Sequence, residues 1–271
     1  MSIEVTTWAE FVEAVGTPGA EVSLPENAVW DMNEILPHFN QNLSISCSSI
    51  AGNGTEIKNL HITGYFAFSS TPEIQDLSLT NIFADGVGGG SDAGTKSFFY
   101  YAASGEAAFR NCTVSGIFGS YYNCIFGATN YDYPIEIEQC AFNMDMDGGT
   151  GIQRVGGHRK HACRWVLNFP HTNQVWLTGA YTDSFNEFVI NAPLALKIWA
   201  YSQNSSTYRG NMQNVTEIYP EGMTDVSVYS TASLPNAVIQ GWVDVKLQGV
   251  TDAQMKSADY LRGIGFLIGV D

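Results

Sequence analysis

Six times in its first half the chain repeats one short phrase: an amide or aspartate, then Leu or Cys, then a mostly small residue, then a β-former. The copies begin at Asn42, Asn59, Asp76, Asn111, Asn123 and Gln139, and their second positions are Leu43, Leu60, Leu77, Cys112, Cys124 and Cys140. Counted at the second position the steps are 17, 17, 35, 12 and 16 residues, so the long step spans close to two units, or one unit plus the glycine-rich stretch near Gly88. Repetition of this kind constrains a fold more than any local motif. Units too small to bury an apolar face alone must stack and share one core. The predicted architecture is a solenoid, with the amides hydrogen-bonded along one column at a bend and the Leu and Cys side chains filling another.

Composition agrees with many short strands. Charged residues make up 14% of the 271 and aromatic residues 13%, with 27 Gly against 9 Pro, a mix that suits tight turns and β-structure better than helices. Segments 22–24, 43–47, 57–63, 74–80, 98–101, 108–114 and 135–137 read as strands, and less regular β-rich segments continue from 175 to 247. Helices are expected at the ends alone. Thr7-Trp8-Ala9-Glu10 has capping-box form ahead of Trp8, Phe11, Val12 and Val15, and Thr251-Asp252-Ala253-Gln254 repeats that form ahead of Met255, Ala258 and Leu261. Such helices would cover the open strand edges that stacked coils leave at each end. The Asn53-Gly54 dipeptide is a hairpin signal and is the feature that favours an antiparallel sandwich instead.

The formal charge of −15 argues against nucleic acid, whose affinity comes from Lys and Arg neutralising phosphates, and against an anionic membrane surface. No apolar run reaches about 18 residues, so no membrane insertion is expected. Residues 1–15 lack the layout of a signal peptide, which leads to the expectation of a protein made and kept in a cytoplasm, or released by lysis. Five Cys, three of them at one repeat position, read as reduced core thiols rather than as disulfides or metal ligands.

The repeats, the N-terminal helix followed by Glu21-Val22-Ser23-Leu24-Pro25, and the Ala51-Gly52-Asn53-Gly54-Thr55 turn resemble the right-handed parallel β-helix proteins typified by pectate lyases and phage tailspikes. The likeness covers residues 1–145 well and the remainder loosely, and it carries no catalytic residue onto a named position. It implies an all-β, right-handed parallel β-helix of about ten coils with short capping helices at both termini: residues 1–40 the N-terminal helix and first coil, 41–250 the β-helix, 251–271 a C-terminal helix and tail. It further implies a structural or adhesive virion protein of a tailed phage, a tailspike-like receptor-binding protein or a capsid decoration protein. Its expected partners are itself as a homotrimer, other virion proteins, and a host cell-surface carbohydrate. The alternative is a polysaccharide-depolymerising spike, a glycoside hydrolase or lyase.

Glycoside hydrolysis needs two carboxyl groups flanking the bond. Asp145 and Asp147 are the catalytic candidates, followed by Glu136 and Glu138, which alternation places on one strand face. Acids at alternate positions are equally what a half-exposed strand shows, and no catalytic residue is assigned. Arg110 and Lys58, directly before Asn111 and Asn59, are expected to face solvent with no acidic cluster beside them in sequence. The stretch 154–165 holds four of the twelve basic residues and two of the five His. Its His158, His161 and Cys163 lack a fourth zinc ligand, and it reads as a docking loop for an acidic neighbour or as a solvated loop, with Arg159 and Lys160 as contact residues. Tyr121, Tyr122, Tyr131 and Tyr133 are candidate platforms for sugar or protein. Residues 85–96, rich in glycine, are expected to project from the stack. No cofactor and no metal are expected.

Overall fold

The structure, a computed structural model, describes residues 1–86, 89, 97–102, 105–119, 124–128, 135–146, 153–156, 159–168, 174–176, 182–184, 186–191, 195–199, 211–213, 216–219, 225–230, 238–241, 245–249 and 263. Apart from two short helices near the start, these residues form mostly β-strands, gathered in three parallel sheets of 9, 10 and 9 strands. No helix among them is long and apolar enough to cross a membrane.

From Glu21 onward the chain visits the sheets in turn. Glu21–Ser23, Val29–Asp31 and Leu43–Ile45 belong to the first, second and third sheets, and Ser49–Ala51 returns to the first beside Glu21–Ser23. The same cycle continues to Asp225–Ser230, after which Val238–Gly241 and Val245–Gly249 extend the second and third sheets, so the described residues beyond 150 add strands to the same three sheets. Asn53-Gly54 is a tight turn with both residues at positive φ, 52° and 77°. It joins Ser49–Ala51 to Glu56–Lys58, which lie in different sheets, so the hairpin signal marks a corner.

Left-handed residues make several of these corners. Asp76, Asn111, Gln139 and Ala162 have φ of 54°, 50°, 53° and 52°, a region where Asn and Asp are the least strained of non-glycine residues. Each follows a first-sheet strand and precedes a second-sheet strand. For this reason the predicted strand 74–80 is two, Glu73–Gln75 and Ser78–Ala84, and 108–114 is likewise Ala107–Arg110 and Thr113–Phe118. Segment 57–63 is interrupted at Asn59, where φ is 61°.

The single amide column expected from the repeats is divided. Asn111 Nδ2 donates to Asp76 Oδ1 at 2.6 Å. A second ladder runs elsewhere: Asn59 Nδ2 donates to Asp31 Oδ1 at 2.8 Å and Asn81 Nδ2 to Asn59 Oδ1 at 2.6 Å. Asn42 stands apart, its Oδ1 accepting from the Tyr65 amide, and Asn123 lies outside the described residues. The core column shifts in the same way. Backbone hydrogen bonds link Leu77 to Thr113, Cys112 to Ala141 and Cys140 to Arg164, so the stack is Leu77, Cys112, Cys140 and Cys163. Leu43 and the strand Cys124–Ala128 belong to the third sheet.

Along that stack the Cys112 amide donates to Cys140 Sγ (3.4 Å), the Cys140 amide to Cys163 Sγ (3.5 Å), and the Cys163 amide to Asn186 Oδ1 (3.1 Å). Cys47, Cys112, Cys140 and Cys163 are free, buried thiols. The hydrogen bond with Cys112, together with burial, pushes the Cys140 thiol up to about 12, and burial pushes Cys47 up to about 11. Both therefore stay protonated and inert near neutral pH.

Helix α1 (Trp8–Val15) has the reciprocal cap read from sequence: Glu10 N donates to Thr7 Oγ1 at 3.3 Å, and the Thr7 amide donates to the Glu10 carboxylate at 3.1 Å. Its Trp8, Phe11, Ala14 and Val15 are buried. Helix α2 (Met32–Ile35), capped by Asp31, has no counterpart in the sequence reading. The C-terminal helix expected from residue 251 lies outside the described residues, which there include Gly263 alone. Between the sheets the core is heavily aromatic. Phe68 stacks on Tyr101 (4.2 Å between ring centroids), Phe99 on Phe126 (4.9 Å) and Phe142 on Trp165 (3.9 Å).

Candidate functional site

Four neighbouring strands of the second sheet, Ser78–Ala84, Thr113–Phe118, Ala141–Met146 and Arg164–Asn168, build an outward groove. Parallel register aligns Leu79, Val114, Phe142 and Trp165 in one row, and all four are buried. Pleating then turns the adjacent rows outward. Ser115, Asn143 and Val166 form one such row, and Phe83, Ile117, Asp145 and Asn168 form another.

A bulge opens the groove at its edge. Register shifts between Leu79 and Ile82, so that Thr80 and Asn81 together oppose Ser115, a two-against-one arrangement that bends a strand and re-aims its side chains. Asn81 takes a φ of 51°, and its amide donates to Ser115 Oγ at 3.2 Å. Gly116, with φ of 154°, lies against Ile82, whose carbonyl oxygen would be 2.1 Å from any Cβ placed there. The groove encloses about 360 Å³, within the usual span of about 300–1,000 Å³ for small-ligand sites.

Its polar lining is Thr80, Asn81, Ser115, Asn143, Asp145 and Asn168. Asp145 is half-buried, with Oδ1 shielded from solvent. Ile117 also lines it, and Ile117 and its row neighbour Phe83 are 44% and 43% exposed, the only large apolar side chains that the described part of this sheet's middle strands leave in water. A strip of apolar surface therefore runs beside hydroxyl, amide and carboxylate groups. Such a surface can receive a ligand with one apolar face and a rim of hydroxyls.

Of the site residues read from sequence, Asp145 is the one in this groove. Asp147, Tyr121, Tyr122, Tyr131 and Tyr133 lie outside the described residues. Arg159 and Lys160 belong to the first-sheet strand Arg159–His161, away from Asp145, and the stretch read as a loop is there a strand. Pleating leaves Lys160 buried and His161 exposed, and of Arg159 the backbone alone is described. Glu136 and Glu138 do share an outward face. Both meet Arg110, Glu136 at 3.3 Å and Glu138 at 3.1 Å, and Glu73 completes the cluster.

The Arg110 cluster was invisible in sequence because its partners stand 26 to 37 residues away. The amide lining escaped for a related reason. Asn81, Asn143 and Asn168 have no common motif, and a two-residue alternation measured from the register of Asp145 would have been needed to align them. Compared with known proteins, the chain matches no family model, and no curated protein or solved structure is significantly similar to it.

Proposed function

We propose that the chain is a right-handed parallel β-helix that serves as a structural, adhesive protein of a virion and holds a host-surface glycan in the groove around Asp145. Handedness follows from a general rule: parallel strands joined by a crossover within one sheet are connected right-handedly in about 98% of cases. The cyclic order of strands through three parallel sheets supports the coil. Self-association as a homotrimer and contact with other virion proteins remain part of this reading, since acidic rods of one kind assemble by closed symmetry.

The groove's composition is the single observation that carries the glycan. Sugars present apolar C–H faces together with equatorial hydroxyls, and Phe83 and Ile117 beside Asn143, Asp145 and Asn168 supply the matching surfaces. Binding is favoured over cleavage because hydrolysis needs a pair of carboxyl groups, and Asp145 is the one acid among the described lining residues.

A glycan array followed by calorimetry on the best ligand tests this. Asp145→Ala is expected to weaken binding by at least tenfold, the scale of losing one charge-assisted hydrogen bond, and Asn143→Ala by about threefold to tenfold, that of a neutral one. An array without hits, or affinities unchanged in both variants, removes the proposal. New reducing ends in the same incubations, lost in Asp145→Asn, would move the chain to the depolymerising reading.

A further inference from the structure

A second cluster, outside the groove, brings together two imidazoles and a carboxylate from three passages of the chain. His38 follows helix α2, His61 lies in the short strand His61–Ile62, and Asp85 follows the strand Ser78–Ala84. Their backbones are fixed to one another. Phe39 N donates to the His61 carbonyl (2.8 Å), Phe83 N to the Leu60 carbonyl (2.9 Å) and Asp85 N to the Ile62 carbonyl (3.1 Å). The imidazole rings of His38 and His61 lie face to face with centroids 3.8 Å apart and planes 15° from parallel.

We propose that His38, His61 and Asp85 bind a divalent transition metal of the zinc class, which clamps three successive passages of the chain.

The ligating atoms of the three residues all lie within 4.8 Å of one another. Around a tetrahedral ion with bonds of about 2.0–2.1 Å, neighbouring donors stand about 3.4 Å apart. Closing that gap takes a shift of about an ångström and a turn of one imidazole out of the face-to-face stack, since a ring nitrogen binds in the plane of its ring. All three side chains are only partly covered, so rotation about their side-chain bonds has room. Two nitrogens and a carboxylate oxygen form a donor set suited to zinc, nickel or cobalt. Calcium, which takes six or more oxygens, is poorly served.

Without metal the same groups satisfy one another. His61 Nε2 meets Asp85 Oδ2 at 2.9 Å, Thr63 Oγ1 donates to Asp85 Oδ1 at 2.9 Å, and His38 Nε2 meets Thr63 Oγ1 at 2.7 Å. An ion would replace the first and last of these bonds and leave Thr63 supporting the carboxylate from behind, as outer partners of metal ligands do. Three protein ligands leave a coordination position for water. The site has no sequence signature because its ligands fall 23 and 24 residues apart, the interval of one passage through the sheets rather than of a helix or a loop.

The test uses the full chain stripped with a chelator and titrated with Co²⁺ and then Zn²⁺. The expected result is one bound cobalt with the visible absorption of a tetrahedral centre, displaced by zinc and weakened at least tenfold in both His61→Ala and Asp85→Asn. His161→Ala, at an exposed position in the first sheet, is expected to bind cobalt as the parent does. Zinc at a hundredfold excess over the parent's Kd should raise the parent's Tm by about 5 °C and that of Asp85→Asn by about half as much or less. Circular dichroism in chelator checks that each variant folds, and the near-isosteric Asp85→Asn carries the test if His61→Ala does not. No cobalt uptake by the parent overturns the proposal, as does equal uptake by the parent and a folded Asp85→Asn.

Discussion

Replacing Gly116 by valine is expected to destabilise the chain by about 3 kcal/mol, the combined scale of overpacking and of a strained backbone. Thermal melting followed by circular dichroism would record this as a fall of roughly 5–6 °C in Tm. Two causes act together. Gly116 has φ of 154°, a conformation open to glycine and strained for any residue with a Cβ. A Cβ would also stand 2.1 Å from the Ile82 carbonyl oxygen and 2.7 Å from the Ile82 nitrogen, both of them backbone atoms that cannot rotate away. The neighbouring strand must shift, and with it the bulge at Thr80 and Asn81 that shapes the groove. Glycan affinity should fall with stability, whereas Ser115→Ala, which changes one lining hydroxyl and no backbone angle, should alter the melt by less than about 1 kcal/mol. A valine variant that melts with the parent contradicts the geometry of this strand contact.

Trp165→Ala is expected to cost about 3–5 kcal/mol, the usual penalty for emptying the site of a buried aromatic ring. Trp165 is fully buried, stacks on Phe142 with ring centroids 3.9 Å apart and planes 9° from parallel, and meets the edge of Phe126 at 6.5 Å. Its strand pairs with Ala141–Met146 on one side and Glu187–Asn191 on the other. Loosening should therefore begin locally. Amide hydrogen exchange in Ala141–Met146 and Arg164–Asn168 is expected to accelerate well before that in Glu21–Ser23 and Ser49–Ala51, because strands that touch only their neighbours pass on a defect step by step. Uniform acceleration along the chain would show a single cooperative unit instead. Trp165→Phe, which keeps a ring against Phe142, should lose less than half as much.

How much of this was legible in the sequence depends on the range of the interaction. Local chemistry was readable: the capping box at Thr7 and Glu10 depends on residues three apart and stands as the sequence predicts. The repeat phrase was half readable. Amide or aspartate followed by an apolar residue describes more than one left-handed position, so Asp76, Asn111 and Gln139 occupy one corner and Asn59 another, while Asn42, written the same way, is not left-handed at all. Ala162 shows the opposite failure. It takes the left-handed corner without an amide, and the phrase therefore passed over Cys163, the next member of the thiol column.

The sites were less legible still, because stacking builds them. Asp145 was singled out by a second acid two residues on, whereas the residues that surround it in the groove come from Thr80, Ser115 and Asn168, each fixed by strand register. From sequence alone Asp85 begins a segment expected to project from the stack. Its amide and carboxylate instead turn back to Ile62 and His61. No window along the sequence contains that contact, and a pattern search at the interval of one passage through the sheets is the signal that could have found it.

Parallel, in-register pairing of consecutive passages underlies the groove, the thiol column and the metal cluster alike. Through-space NMR contacts between side chains of Thr113–Phe118 and Ala141–Met146 test it most directly. Parallel register places Val114 beside Phe142 and Phe118 beside Met146, and contacts within both pairs are expected. Contacts of Val114 with Met146 and of Phe118 with Phe142 would instead show antiparallel strands, and would contradict the account at its base.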